Sequence, residues 1–166
     1  RIHLERGDDE AAARAFSQAL DLGEQPAHAH CYRAVAESRL GRHEEAWADF
    51  NQAIALDEVW AEGYYRRAVW HETNGRAGDA LADLDRALAL DDQYLAALDR
   101  RGKLYYQRGR VEEARADLSR VIELGGADAD TCYCRGLLNR AAALAPQAID
   151  DFSAAIRLRP DMPAPY

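Results

Sequence analysis

A thirty-four-residue recurrence runs through the chain without a gap, and it constrains the fold more than any other feature. Arg33, Arg67, Arg101 and Arg135 stand at that interval, each followed by a small residue: Ala34, Ala68, Gly102 and Gly136. Ala46, Ala80, Ala114 and Ala148 keep the same step, as do Phe50, Leu84, Leu118 and Phe152. Leu22, Leu56, Leu90, Leu124 and Leu158 close the units. A period of this length marks stacked supersecondary units, each too small to bury its apolar face alone.

Inside a unit the apolar residues follow a helical period. Ala77, Ala80, Leu81, Leu84, Ala87 and Leu88 line one side of a helix, while Asp79, Asp83 and Arg86 mark its outer face. Gly41, Gly75 and Gly109 suit the turn between two helices, where a left-handed backbone costs glycine nothing. The spacing predicts helix pairs at 27–40 with 42–56, 61–74 with 76–90, 95–108 with 110–124, and 129–142 with 146–158. Residues 1–26 read as a partial unit: a stub of first helix at Arg1–Arg6, a turn at Gly7, then Ala12, Phe16 and Ala19 as a second-helix stripe. Full units occupy 27–60, 61–94, 95–128 and 129–162, and 163–166 opens a further one, so the chain reads as one array cut at both ends. Ala143-Leu144-Ala145-Pro146 replaces the glycine turn in the last full unit. A differently shaped turn is expected there, with the second helix starting a residue or two late.

Composition narrows the class. Hydrophobic residues make up 48% of the chain but aromatics only 8%; much of the apolar content is alanine, which favours closely packed helices. The formal charge of −8 and the lack of a basic run argue against nucleic acid as a partner. No stretch is apolar enough for a membrane span. Three cysteines, Cys31, Cys132 and Cys134, form no disulfide framework in a chain of 166 residues, so a reducing, cytoplasmic setting is expected. His28 and His30 diverge on a helix, as do Cys132 and Cys134, and no zinc spacing appears. Neither a phosphate loop nor a nucleophile arrangement is present. No cofactor and no catalysis are expected.

The small residue in each first helix, with Tyr105 three beyond Gly102, resembles the tetratricopeptide repeat. So does the second-helix series Ala148, Phe152 and Ala155. Arg101-Gly102, Arg135-Gly136 and the run Ala48 to Phe50 resemble a common variant of it. The likeness covers nearly the whole chain. It implies an all-α fold, an α-solenoid of antiparallel helix pairs stacked in a right-handed superhelix. It also implies a non-catalytic scaffold that binds a protein or peptide along a concave face lined by first helices. Family members that grip acidic chaperone tails use lysines and asparagines on one first helix. Cys31 and Val35, or Tyr65 and Val69, stand at those places, with Arg66 or Arg100 surviving alone, which disfavours that ligand.

Family geometry makes Tyr65, Arg66, Val69, Arg100, Lys103, Tyr106, Tyr133 and Leu137 the candidate contacts, with His28, Cys31, Val35 and Arg39 lining the first unit. Tyrosine and arginine are enriched at binding hot spots. Arg66, Arg100 and Lys103 would favour acidic groups on the partner segment. The plainer reading packs Tyr65 and Tyr133 between units and treats Glu62–Arg66 and Asp99–Lys103 as ordinary helix pairs. The repeated arginines match repeated aspartates, Asp49, Asp83, Asp117 and Asp151, and a bridge within a unit or to its neighbour is expected. Two rival roles remain: self-association through the repeat ends, and regulation of an enzyme carried on the same polypeptide.

Overall fold

The computed structural model describes residues 8–161. The expected stub at Arg1–Arg6, the turn at Gly7 and the start of a further unit at 163–166 lie outside the described residues. Nine helices and no strand are found among those described. They are α1 (Asp9–Asp21), α2 (Pro26–Arg39), α3 (His43–Leu56), α4 (Ala61–Thr73), α5 (Ala77–Leu90), α6 (Leu95–Gln107), α7 (Val111–Glu123), α8 (Ala129–Ala141) and α9 (Ala145–Leu158). The chain forms two compact units, Arg1–Asp91 with α1 to α5 and Asp92–Tyr166 with α6 to α9.

Each full repeat is a hairpin: α2 with α3, α4 with α5, α6 with α7, and α8 with α9. The turns recur in one form. Gly41, Gly75 and Gly109 take φ near +70 to +80°, and the residue after each donates its backbone N–H to the carbonyl five residues back. For Arg76 that bond, to His71, is 2.8 Å. This is the Schellman closure, which satisfies the carbonyls left open at a helix end.

The last hairpin does not depart from this form. Ala143 takes φ +58°, and Leu144 N–H reaches the Asn139 carbonyl at 2.8 Å. Helix α9 begins at Ala145, in step with α3, α5 and α7 rather than late. Pro146 sits in its first turn, where no intrahelical N–H is required. Packing imposes on an alanine the turn that glycine adopts freely elsewhere, at a cost of about 1 kcal/mol.

The core follows the repeat register. Ala34, Ala68, Ala46, Ala80, Ala53 and Ala87 are fully buried, as are Leu84 and Leu118. Small residues let the two helices of a hairpin close on the large side chain opposite. At Gly136 an added Cβ would lie 2.6 Å from the Phe152 ring, and at Gly102 2.9 Å from Leu118. Cys31 belongs to this core, in one cluster with Ala34, Ala46, Phe50, Ala53 and Trp70. Its expected place on the binding face is therefore wrong: it is enclosed with side chains of α3 and α4 and has no exposed surface. The closing leucines Leu22, Leu56 and Leu158 mark the period but remain exposed.

Asp83 leaves the outer face predicted for it. Asp79 and Arg86 are exposed, whereas Asp83 turns inward and accepts two bonds from Arg67, at 2.8 and 2.7 Å. The same two-pronged pair joins Arg33 to Asp49 (2.6 and 2.7 Å), Arg101 to Asp117 (2.7 and 2.8 Å) and Arg135 to Asp151. Each of the four bridges lies within its own hairpin. The remaining guanidinium nitrogen reaches the preceding second helix: Arg33 to Ser17 Oγ at 3.2 Å, Arg67 to Asn51 Oδ1 at 2.7 Å, Arg135 to Ser119 Oγ at 3.4 Å. Each of these arginines thus ties three helices together.

Two stability outcomes follow from this packing. In Gly78→Ala the new methyl meets nothing within 4 Å, so the helix α5 gains about 0.5–1 kcal/mol. Gly136→Ala drives the methyl into Phe152 and loses about 1–3 kcal/mol. Paired thermal melts check this, and a shift of the same sign in both would contradict the packing. Asp83→Ala leaves the Arg67 charge without its carboxylate and lowers stability by about 3–5 kcal/mol in denaturant titration; an unchanged midpoint would make the bridge ornamental.

Candidate functional site

The first helices carry the candidate residues, and within each unit neighbouring first helices are linked by side chains. In the first unit Glu62 of α4 is the hub. Its Oε1 accepts the Tyr32 hydroxyl from α2 at 2.9 Å and the Nε and Nη2 of Arg66 at 2.8 and 2.6 Å. The Arg66 guanidinium also lies over the Tyr32 ring, 4.9 Å from its centroid. Tyr65 and Val69 are half-buried on the same helix. Tyr32 was not among the sequence candidates; its register position beside Cys31 is the only signal that could have found it. On α2 the His28 ring packs against Trp60 at 4.1 Å, and Arg39 donates to Asp9 at 3.3 Å.

In the second unit Lys103 of α6 donates to Asp99 Oδ2 at 2.7 Å and lies 3.7 Å from Asp128 Oδ1. Asp128 caps α8 by accepting the Thr131 backbone N–H at 2.7 Å. The buried Thr131 hydroxyl lies 2.6 Å from Asp99 Oδ1 and 2.7 Å from Asp128 Oδ1, and its single hydrogen serves one carboxylate at a time. Burial works against the Lys103 charge, but the bond and charge of Asp99, with Asp128, outweigh it and raise its pKa. Burial likewise opposes the Asp128 charge, yet the Thr131 amide and hydroxyl and Lys103 lower its pKa. Both groups are therefore charged at neutral pH. The Asp-Ala-Asp-Thr run at the start of α8 is the sequence sign of this cap.

Arg100 and Leu137 are half-buried, and Tyr106 is exposed. Tyr133 packs its ring against Phe152 at 5.8 Å, within its own hairpin. The geometry thus joins Arg66 to Glu62 and Tyr32, and Lys103 to Asp99, Asp128 and Thr131. It leaves Tyr106 as the most open aromatic of the candidates. Among the described residues, no group of three or more His, Cys, Asp or Glu is arranged to hold a metal ion, and no helix is long and apolar enough to cross a membrane.

A family model described as Tetratricopeptide repeat matches residues 1–61, 65–130 and 100–163. The chain belongs to the tetratricopeptide repeat family. No curated protein matches the sequence. Among solved structures, a crystal structure of MamA superposes with a TM-score of 0.79 at 21% identity, covering 96% of this chain and 93% of that one. YrrB, described as a tetratricopeptide protein with an unusual peptide-binding site, gives a TM-score of 0.73 at 21% identity over 96% of this chain and 82% of its own. The first tetratricopeptide domain of Spaghetti (RPAP3), bound to the HSP90 peptide SRMEEVD, gives 0.66 at 24% identity over 72% of this chain and 94% of its own. The fold is that of an all-α helical repeat of the solenoid class.

Cysteine accessibility provides a check on these placements. Burial pushes the Cys31 thiol up to about 12 and also raises Cys132 and Cys134. Alkylation by iodoacetamide at pH 8, followed by mass spectrometry, should therefore modify half-exposed Cys134 first and Cys31 only on unfolding. Rapid labelling of Cys31 would contradict its position in the core.

Proposed function

We propose that the chain is a non-catalytic scaffold that binds a segment of another protein along the first-helix face of each unit. The observation that carries this reading is the set of tyrosines and aliphatic residues held there outside the core: Tyr65 and Val69 on α4, Tyr106 on α6, Leu137 on α8. Amphipathic aromatics flanked by small apolar groups make hot spots, and rigid helices preorganise them. YrrB and Spaghetti, both described as peptide binders, support the class of function.

The partner segment carries acidic groups in this proposal, directed at Arg66, Arg100 and Lys103. Those groups must draw Arg66 from Glu62 and Lys103 from Asp99, so the attraction is weaker than the bare cations suggest. The SRMEEVD tail held by Spaghetti is a poor model for this partner, because Cys31 is buried in the core and Val35 stands where that grip needs polar groups. A cytoplasmic setting is part of the same proposal.

The test is selection from a displayed library of unstructured twelve-residue peptides on the immobilised protein. Binders should lose capture at least about tenfold, equivalent to about 1.4 kcal/mol, in Tyr65→Ala/Val69→Ala or in Tyr106→Ala/Leu137→Ala, with helicity unchanged. Undiminished capture by both variants would move the site off the first helices. A second reading is self-association through the last helix. Ile149, Ile156 and Leu158 of α9 are 64%, 45% and 55% exposed, an apolar face of the kind that joins copies. Light scattering across concentration decides it, and a stable monomer removes that reading.

A further inference from the structure

The joint between α3, α4 and α5 holds a buried histidine that neither the stacking nor the candidate binding face uses. His71, near the end of α4, is 4% exposed. Its ring stands edge-on to Trp47 of α3 at 5.3 Å and to Trp70 at 5.2 Å, and the two indoles stack at 5.4 Å. Nε2 lies 3.7 Å from Asp83, whose oxygens are already bonded to Arg67, and Nδ1 lies 3.9 Å from exposed Asp79. Neither distance is a hydrogen bond. No hydrogen bond satisfies Nδ1, and His71 lines an open pocket of about 380 Å³ together with Trp47, Arg67, Arg76, Asp79 and Asp83.

The repeat register shows how unusual this residue is at its position. Glu37, His71, Tyr105 and Asn139 stand at equivalent places in the four hairpins, and only the second carries a group that titrates near neutrality. Asn139 solves the same position by donating to Asp151 Oδ2 at 2.8 Å. Histidine at position 71 has no bond of that kind, so a proton on its ring would be a buried charge without a bonded partner.

We propose that this joint is a proton-sensitive device, in which protonation of His71 inside the Trp47–Trp70 cage loosens α4 from α3 and α5. Two carboxylates, Asp83 and Asp79, favour the imidazolium, while the guanidiniums of Arg67 and Arg76 oppose it; Trp47 faces it from α3 without charge. Burial is the largest influence and carries the balance, lowering the His71 pKa in the folded protein. A depressed folded pKa means that the unfolded chain takes up the proton first. Stability is therefore complete above the ordinary histidine value of about 6.5 and is lost as pH falls from there through the folded pKa. Helix α4 also carries Tyr65, Arg66 and Val69 on another face, so the loosening reaches the residues placed outward for binding.

The test compares the whole chain with His71→Asn, the side chain that the fourth hairpin uses. Thermal melts between pH 7.5 and 5 should show a falling Tm in the parent and a clearly smaller fall in the variant, with the variant at least as stable at pH 5. Imidazole carbon and nitrogen shifts followed by NMR should place the His71 titration below that of an unfolded peptide. Amide exchange in α4 should rise at pH 5 in the parent alone. Equal falls in Tm, or a His71 ring that titrates at or above its ordinary value, would overturn the proposal.

Discussion

The structure depends on the paired contact between one arginine and one aspartate in each hairpin. Arginine offers a planar two-pronged donor, and the carboxylate that accepts it lies between two helices, nearly out of solvent. A buried carboxylate without a cation is costly, so the hairpin closes only when the arginine lies across from it. The small residue after each arginine allows the two helix axes to approach closely enough for that geometry. For Arg33, Arg67 and Arg135 the third guanidinium nitrogen extends to a hydroxyl or amide of the preceding second helix. The same side chain that closes one hairpin therefore sets its distance from the one before. Ion pairs of this kind specify register more than they add net stability, since their attraction mainly offsets their desolvation.

Once the arginine about two turns into each first helix is committed to this bridge, the neighbouring positions are left for other side chains. They are the positions that carry tyrosine, valine, leucine and the remaining cations. Their chemistry differs between the two units: a tyrosine–glutamate–arginine hub on α2 and α4, and a lysine among two aspartates and a threonine on α6 and α8. Both arrangements neutralise their own cations. In the proposed reading, recognition there relies on aromatic and aliphatic contact more than on long-range attraction, because Arg66 and Lys103 are already paired with carboxylates of their own chain.

Much of this was legible without coordinates. The thirty-four-residue step placed every full helix pair to within two residues at each end, because helix periodicity and turn glycines are local signals. The bridging of Arg33, Arg67, Arg101 and Arg135 to aspartates was legible for the same reason. Cys31, Asp83 and Ala143 were misread. Cys31 and Asp83 lie near the edge of an amphipathic stripe, where a rotation of some tens of degrees separates core from surface, and only the neighbouring helix sets that angle. Ala143 was misread because propensity predicts a turn that alanine prefers, whereas the packing of α8 on α9 demanded the one it disfavours.

The sequence alone determined the all-α repeat, its register and the class of protein to which it belongs, since each unit repeats the same short-range instructions. Tertiary structure decided which polar side chains are consumed by the fold and which face outward. Glu62 and Arg66 share a helix, but the Tyr32 that completes their hub comes from thirty residues earlier. His71 looks like any surface histidine until Trp47 and Trp70 close over it. Burial and partner geometry come from the three-dimensional neighbourhood, and they turn a residue's chemical capacity into a structural or a functional role.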